Sequence, residues 1–153
     1  MRARPYTPWI VRLYLVSVTG LAVTGLLHMP LAERYALTEV PGLGWTGDFY
    51  LVHRLHYLFA ALLLFTAGLS SINWLLGWKD RLALTRLGAV RVAILGGLMV
   101  SGGLRMYRNL PSVTLDPVLV VLIEWVHLGL AGALGVAVLA AALRGGSAYV
   151  RWR

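Results

Sequence analysis

The chain has no cysteine and few charged residues. Without cysteine it can form no disulfide, no cysteine-ligated iron–sulfur cluster and no thioether-bound haem, and thiol chemistry is excluded. Only 13% of the residues are charged and only 6 are acidic, whereas 59% are hydrophobic. A soluble domain has about 25% charged and about 45–50% apolar residues. The composition therefore excludes an ordinary water-soluble enzyme and predicts an integral membrane protein.

Long apolar runs make up most of the chain, over residues 9–29, 49–76, 88–107 and 117–143. Each supplies the ~20 residues that an α-helix needs to cross a bilayer. The first run lacks a clear A-x-A cleavage site, so it is interpreted as a span and not as a signal peptide. The segments between the runs are too short for a soluble domain. The sequence predicts an all-α fold, in which residues 1–153 form a single integral membrane four-helix bundle.

The net charge of +8 comes from residues at the edges of the apolar runs. This pattern is typical of membrane topology signals, so no nucleic-acid partner is predicted. Ten of the 14 Lys and Arg residues lie on the side of the termini and of the turn between the second and third runs, and five of the six acids lie on the other side. Because positive charge favours the cytoplasmic side, both termini are predicted to be cytoplasmic. The predicted location is a bacterial or archaeal cytoplasmic membrane, with the lipid bilayer around the helices.

All four histidines fall toward the predicted outer ends of the spans. His28 closes the first span, and His53 and His56 open the second. His127 lies in the outer half of the fourth span. An ionisable residue inside a span is energetically costly and is a candidate for function.

The residues around His56 and His127 share one pattern, polar-x-x-His-x-x-x-Ala-small. The alanine lies one turn beyond the histidine on the same helix face, which leaves a flat recess beside the imidazole. Two facing helices that each offer a histidine and a recess can hold a bis-histidine haem. The alternatives are another metal, or histidines that serve only as polar groups near the membrane surface.

Short motifs in all four spans support a family resemblance. They are T-G-L at residues 24–26, R-L-H-Y at 54–57, S-G-G-L at 101–104, and His127. In their order and spacing they resemble the four-helix cytochrome b subunits that anchor nickel–iron hydrogenases and formate dehydrogenases and exchange electrons with quinone. The resemblance implies a haem b near the outer face, with His56 and His127 as axial ligands of the iron.

The chain also differs from that family in one respect. That family carries a second haem near the cytoplasmic face, whereas the early first span and the part of the fourth span after His127 contain no histidine. One haem b is therefore predicted, and the alternative is a second haem held by His28 and His53. Both of these histidines are also candidates for a quinone site, and an interfacial role is their other interpretation.

Three charged residues are further candidates. Arg54 and Arg105 suit the haem propionates, because arginine–carboxylate pairs are strong where water is scarce. Their alternative is to reach toward lipid head groups. Glu124 lies one turn before His127, so it is a candidate for accepting a proton from quinol or for hydrogen-bonding the ligand imidazole. Its alternative is an acid that favours the helix start.

The predicted function is electron transfer between membrane quinone and a redox subunit at the outer or periplasmic face, such as an iron–sulfur or cytochrome c protein. Two histidine ligands leave no iron position open for substrate, and the chain shows no catalytic constellation of its own. The alternative is a haemless membrane anchor of a respiratory complex. That alternative explains the size and the 17 glycines, but it leaves the shared pattern around His56 and His127 to chance.

Overall fold

The structure is a computed structural model that describes residues 7–29, 34–143 and 149–152. The long elements are helices: α1 (Pro8–Leu27), α2 (Phe49–Asn73), α3 (Arg86–Arg108) and α4 (Pro117–Leu143). Each is long and apolar enough to cross a membrane. The chain is thus a multi-pass membrane protein made mainly of helices, as the four apolar runs predicted. The basic residues at positions 2, 4, 144 and 153, which contributed to the predicted orientation, lie outside the described residues.

Short elements complete the secondary structure. Two 3₁₀ turns, Leu37–Glu39 and Gly44–Gly47, lie in the loop before α2, and a π-helical turn, Trp74–Trp78, extends α2. Two short strands, β1 (Leu82–Leu84) and β2 (Val150–Trp152), pair antiparallel. The strands are a finding that the sequence did not predict, since three residues are too few to show an alternating pattern.

Local side chains explain where the helices begin. Asp48 accepts a hydrogen bond from the backbone N–H of Leu51 at 3.0 Å and caps α2. Thr85 caps α3 by accepting from the N–H of Gly88 at 2.8 Å. Asp116, just before Pro117, accepts from the N–H of Val118 at 2.8 Å. Such caps satisfy N–H groups that have no partner inside the helix.

The chain divides into two compact units, Met1–Gly77 and Trp78–Arg153. The first unit contains α1 packed on α2, and the second contains α3 packed on α4. We refer to these two helix pairs as the first hairpin and the second hairpin. In each, the end of the first helix meets the start of the second, so the paired helices are antiparallel.

Small and hydroxyl-bearing residues occupy the buried faces of the helices. Ser17, Thr24, Thr66 and Ser101 are 0%, 2%, 2% and 4% exposed. In contrast, large apolar side chains such as Leu139 lie on the exposed faces, where lipid surrounds the helices. Apolar residues such as Leu63 and Leu134 are buried beside the small ones. Close packing of small residues is typical of membrane helices.

The two hairpins repeat their packing at constant offsets. In the first, Gly20 of α1 faces the ring of Phe59 on α2. In the second, Gly97 of α3 faces Leu130 of α4. Residue numbers of α1 and α3 at equivalent positions differ by 77, and those of α2 and α4 differ by 71. The buried residues Val52, Leu63 and Thr66 of α2 correspond by the same 71 to the buried residues Ile123, Leu134 and Ala137 of α4.

The strand β2 holds the described end of the chain against α3. Leu82 and Val150 are 1% and 4% exposed. The N–H of Thr85 donates to the carbonyl of Tyr149 at 3.0 Å. The guanidinium carbon of Arg91, a residue that is 3% exposed, lies 3.9 Å from the centre of the Tyr149 ring. A cation over an aromatic face is a favourable arrangement, more so where water is excluded.

The contact between Gly20 and Phe59 predicts a position-specific loss of stability. A Cβ atom at residue 20 would lie 2.5 Å from carbons of the Phe59 ring. Because the ring must move out of this contact, Gly20→Ala is expected to destabilise the first hairpin by about 1–3 kcal/mol. Thermal unfolding in detergent, followed by tryptophan fluorescence, measures the change in Tm. Gly96→Ala is the matched control, because nothing lies within 4 Å of its Cβ position. An equal Tm for the two variants would contradict this packing.

Candidate functional site

His56 is held by a hydroxyl group of the neighbouring helix. Its Nδ1 lies 2.8 Å from Oγ1 of Thr24. The Thr24 hydroxyl also lies 2.7 Å from the carbonyl oxygen of Gly20. A carbonyl only accepts hydrogen bonds, so the single proton of the hydroxyl goes to Gly20. The oxygen of Thr24 therefore accepts from His56, which places the imidazole proton on Nδ1 and the lone pair on Nε2.

His127 has the same arrangement in the second hairpin. Its Nδ1 lies 2.9 Å from Oγ of Ser101, and the Ser101 hydroxyl lies 3.3 Å from the carbonyl of Leu98. A Ser101 hydroxyl that donates to this carbonyl accepts from Nδ1 of His127, and the lone pair of His127 is then on Nε2. His56 and His127 are both half-buried. The two residues singled out in the sequence thus have the same hydrogen-bonding state.

A glycine follows each of the two hydroxyl residues. A Cβ atom at Gly25 would lie 3.6 Å from Cε1 of His56, and one at Gly102 would lie 3.4 Å from Cε1 of His127. Any larger side chain at these positions would cover that edge of the imidazole. The pairs Thr24-Gly25 and Ser101-Gly102 therefore fix the ring on one side and leave space beside it.

The repeat continues at the loop end of each hairpin. In the first hairpin, Nε2 of His28 lies 3.2 Å from Nδ1 of His53. The equivalent positions of the second hairpin are Arg105 and Glu124, whose side chains form an ion pair at 3.1 Å. The same backbone positions thus carry an imidazole pair in one hairpin and an ion pair in the other.

His28 and His53 lie among other aromatic rings. The ring of Phe49 is stacked on His53 at 5.6 Å and 15°, and Tyr57 lies 4.4 Å from His53. His28 also contacts the ring of His56, with centroids 5.2 Å apart. The structure thus brings His28, His53 and His56 together at one end of the first hairpin, and the second haem, the quinone site and the interfacial role stay alternative predictions for His28 and His53.

Glu124 connects two arginines of α3. Its carboxylate oxygens lie 3.1 Å from Arg105 and 2.7 Å from Arg108. The sequence suggested Glu124 as a proton acceptor or as a partner of His127, whereas the hydroxyl partner of His127 is Ser101. Arg105, a candidate for a haem propionate, is thus paired with Glu124.

Arg54, the other propionate candidate, lies exposed on α2.

In the described ranges, no group of three His, Asp or Glu side chains is arranged to hold a metal ion. The described residues thus provide single imidazoles in a defined hydrogen-bonding state, and not a three-residue metal site.

Three residues of this site were not recognised as functional from the sequence: Thr24, Ser101 and Arg108. The signal for Thr24 and Ser101 was present, because both begin the hydroxyl–glycine motifs at residues 24–26 and 101–104. These motifs are 77 residues apart and the two histidines are 71 residues apart, which are the same offsets that relate the two hairpins. Arg108 had no such signal.

Comparison with protein-family models, with curated proteins and with solved structures gives no match for this chain.

The hydroxyl contact predicts the tautomer of His56. In lipid nanodiscs, ¹⁵N NMR of labelled histidine should show His56 with a protonated Nδ1 and an unprotonated Nε2, because the Thr24 hydroxyl donates its proton to Gly20 and is left to accept from His56. Thr24→Val keeps the side-chain shape and removes the acceptor, so this fixed state should be lost. Thr19→Val on the exposed part of the same helix is the control and should leave the His56 signals in place. A wild-type His56 protonated on Nε2 would contradict the assigned hydrogen bond.

Proposed function

We propose that the chain is a membrane cytochrome b subunit. It binds one haem b, with His56 and His127 as the axial ligands. It passes electrons between membrane quinone and a redox subunit at the outer face of the membrane. The observation that carries the proposal is the hydrogen bond from Nδ1 of each of these imidazoles to a buried hydroxyl group.

The hydrogen-bonding state of the two imidazoles fits a haem ligand. A histidine that binds a metal commonly uses one ring nitrogen for the metal and donates the N–H of the other to a nearby oxygen. His56 and His127 both donate from Nδ1 to a hydroxyl, so Nε2 carries the lone pair that an iron needs. The hydroxyl partners fix the orientation of the rings and increase the basicity of Nε2.

The surroundings of the imidazoles also fit a flat macrocycle. Gly25 and Gly102 leave space beside Cε1 of the two rings. Ala60 and Ala131 lie four residues after His56 and His127, one turn along the same face. When bound, haem b supplies one-electron transfer, with a potential set by its axial ligands, hydrogen bonds and burial.

The charges of the chain support an orientation. We infer that both termini lie in the cytoplasm, because ten of the 14 basic residues are on that side by the predicted topology. The loop ends of both hairpins then face outward, in a bacterial or archaeal cytoplasmic membrane. The redox subunit, an iron–sulfur or cytochrome c protein, would dock there. Arg105, Arg108 and Glu124 lie at that end and are partly exposed.

The haem content tests the proposal directly. A dithionite-reduced minus oxidised spectrum of the purified protein should show a b-type α-band at about one haem per chain. His56→Ala and His127→Ala should each lose this haem, because each removes an axial ligand. Leu58→Ala and Leu128→Ala alter lipid-exposed positions on the same two helices and should retain it.

Two results would contradict the assignment. One is a full haem spectrum in both histidine variants. The other is a folded wild-type protein that has no haem after expression in a haem-replete host, which would leave the haemless anchor as the function.

The hydroxyl partners predict a graded effect. Thr24→Val and Ser101→Ala should still bind haem but release it more readily, with an affinity lowered by about 10–100-fold, as is usual for lost hydrogen-bond partners of metal ligands. Transfer of haem to an excess of apomyoglobin measures this release. Thr19→Val, which alters an exposed hydroxyl on the same helix as Thr24, is the control. Unchanged release from both variants would show that the hydroxyls do not position the ligands.

A further inference from the structure

We propose that the end of the second hairpin at the β1–β2 sheet binds the head group of an anionic phospholipid. The site consists of four exposed basic side chains, those of Lys79, Arg81, Arg86 and Arg151. All four belong to the second compact unit, and none is a candidate for haem or quinone. The inference therefore stands apart from the proposed electron transfer.

The sheet lies at a membrane surface because of its place in the chain. Residues 79–85 join the second span to the third, and β2 follows the fourth span. Two apolar side chains of the sheet, Leu84 and Trp152, are 42% and 44% exposed. Exposed apolar groups and tryptophan are favourable at the boundary between hydrocarbon and head groups. A ligand of this site is therefore expected to come from the bilayer.

The pairing of the strands gives the sheet two different faces. The paired positions are Leu82 with Trp152, Ala83 with Arg151, and Leu84 with Val150. Paired residues of an antiparallel ladder lie on the same face, and the faces alternate along each strand. One face thus carries only apolar side chains, and the other carries Arg151. Arg81 directly precedes β1, so the pairing brings the tail arginine beside the basic turn.

The contacts of Tyr149 hold the tail strand in this position. Its carbonyl accepts from the N–H of Thr85 at 3.0 Å, and its ring lies 3.9 Å from the guanidinium carbon of Arg91. A Cβ atom at Gly88 would overlap the same carbonyl oxygen, so glycine is required for this close approach. Because the tail is already ordered, less entropy is lost when several basic groups gather around one head group.

The charge of this end of the hairpin is complementary to an anionic head group. Segments 78–91 and 149–152 contain five basic residues, and Asp80 is their only acid. Arginine and lysine bind phosphate oxygens through charge-assisted hydrogen bonds. The ammonium group of a zwitterionic lipid is repelled by the same cations, whereas an anionic lipid has no such group. The site should therefore select phosphatidylglycerol over phosphatidylcholine.

Competition between these two lipids tests the inference. The full-length protein in detergent is mixed with equal amounts of phosphatidylglycerol and phosphatidylcholine that carry the same acyl chains. Native mass spectrometry separates the two complexes by mass within one sample. The wild type should bind phosphatidylglycerol about tenfold more tightly, as expected for a few exposed charge pairs. The measurement is repeated with inorganic phosphate at the same concentration as the lipid.

Removal of single charges should reduce the preference. Arg81→Gln and Arg151→Gln should each lower it about threefold, because each removes one exposed cation. Arg34→Gln makes the same change of charge at an exposed position of the first compact unit. It is the matched control and should keep the tenfold preference.

A variant that retains every charge separates the geometry of the site from the net charge of the chain. Gly88→Ala should displace the carbonyl of Tyr149 and with it the tail strand, so the preference should fall about threefold, as in Arg151→Gln. Gly96→Ala lies in the same helix, and nothing is within 4 Å of its Cβ position. This control should bind the lipids as the wild type does.

Equal affinity of the wild-type protein for the two lipids would overturn the inference, and this comparison needs no variant. Displacement of phosphatidylglycerol by the inorganic phosphate would also overturn it, because the ligand would then be a free anion. An unchanged preference in both Arg81→Gln and Arg151→Gln would place the selectivity elsewhere on the chain. An unchanged preference in Gly88→Ala would contradict the part assigned to the tail strand.

Discussion

The hydrogen bond between an imidazole Nδ1 and a hydroxyl of the preceding helix is the constraint on which both hairpins depend. Thr24 and Ser101 are almost fully buried, so their oxygens need partners within the protein. Each hydroxyl bonds to a carbonyl of its own helix and accepts from a histidine of the other helix. Because the bond joins single atoms, it aligns the two helices along their axes as well as in rotation. The imidazole state and the helix register are thus set by the same contact.

Close packing one turn away depends on this alignment. In the first hairpin, Gly20 precedes Thr24 by one turn and receives the ring of Phe59. In the second, Gly97 has the same relation to Ser101 and receives Leu130. In the first hairpin, a slide of one residue would move the Phe59 ring onto Thr19 or Leu21, which both have a Cβ atom. Glycine packing and the hydroxyl–imidazole bond therefore reinforce one register, and its occurrence in both hairpins explains why their buried positions correspond.

The four membrane-spanning helices could be predicted from the sequence, because bilayer thickness sets the length of an apolar run. The fourth run, residues 117–143, has the same limits as α4. The sequence also pointed to His56 and His127, which the structure places against Thr24 and Ser101. It did not identify Thr24 and Ser101 as their partners, since a hydroxyl in a helix usually bonds to its own backbone and only tertiary packing adds a histidine. The partner of Glu124 was not predictable either, because α3 and α4 must be packed before Arg105 and Arg108 are known to face it.

The difference between the hairpins lies at their loop ends. His28 and His53 are joined by a contact of 3.2 Å between two imidazole nitrogens, and Nδ1 of His28 donates to the carbonyl of Thr24. Arg105 and Glu124 are joined by full charges, and Arg108 adds a second guanidinium to the same carboxylate. Such a cluster retains an excess positive charge, which attracts anions. Since the backbone positions are equivalent, the side chains alone make the difference between an imidazole pair in the first hairpin and a charged cluster in the second.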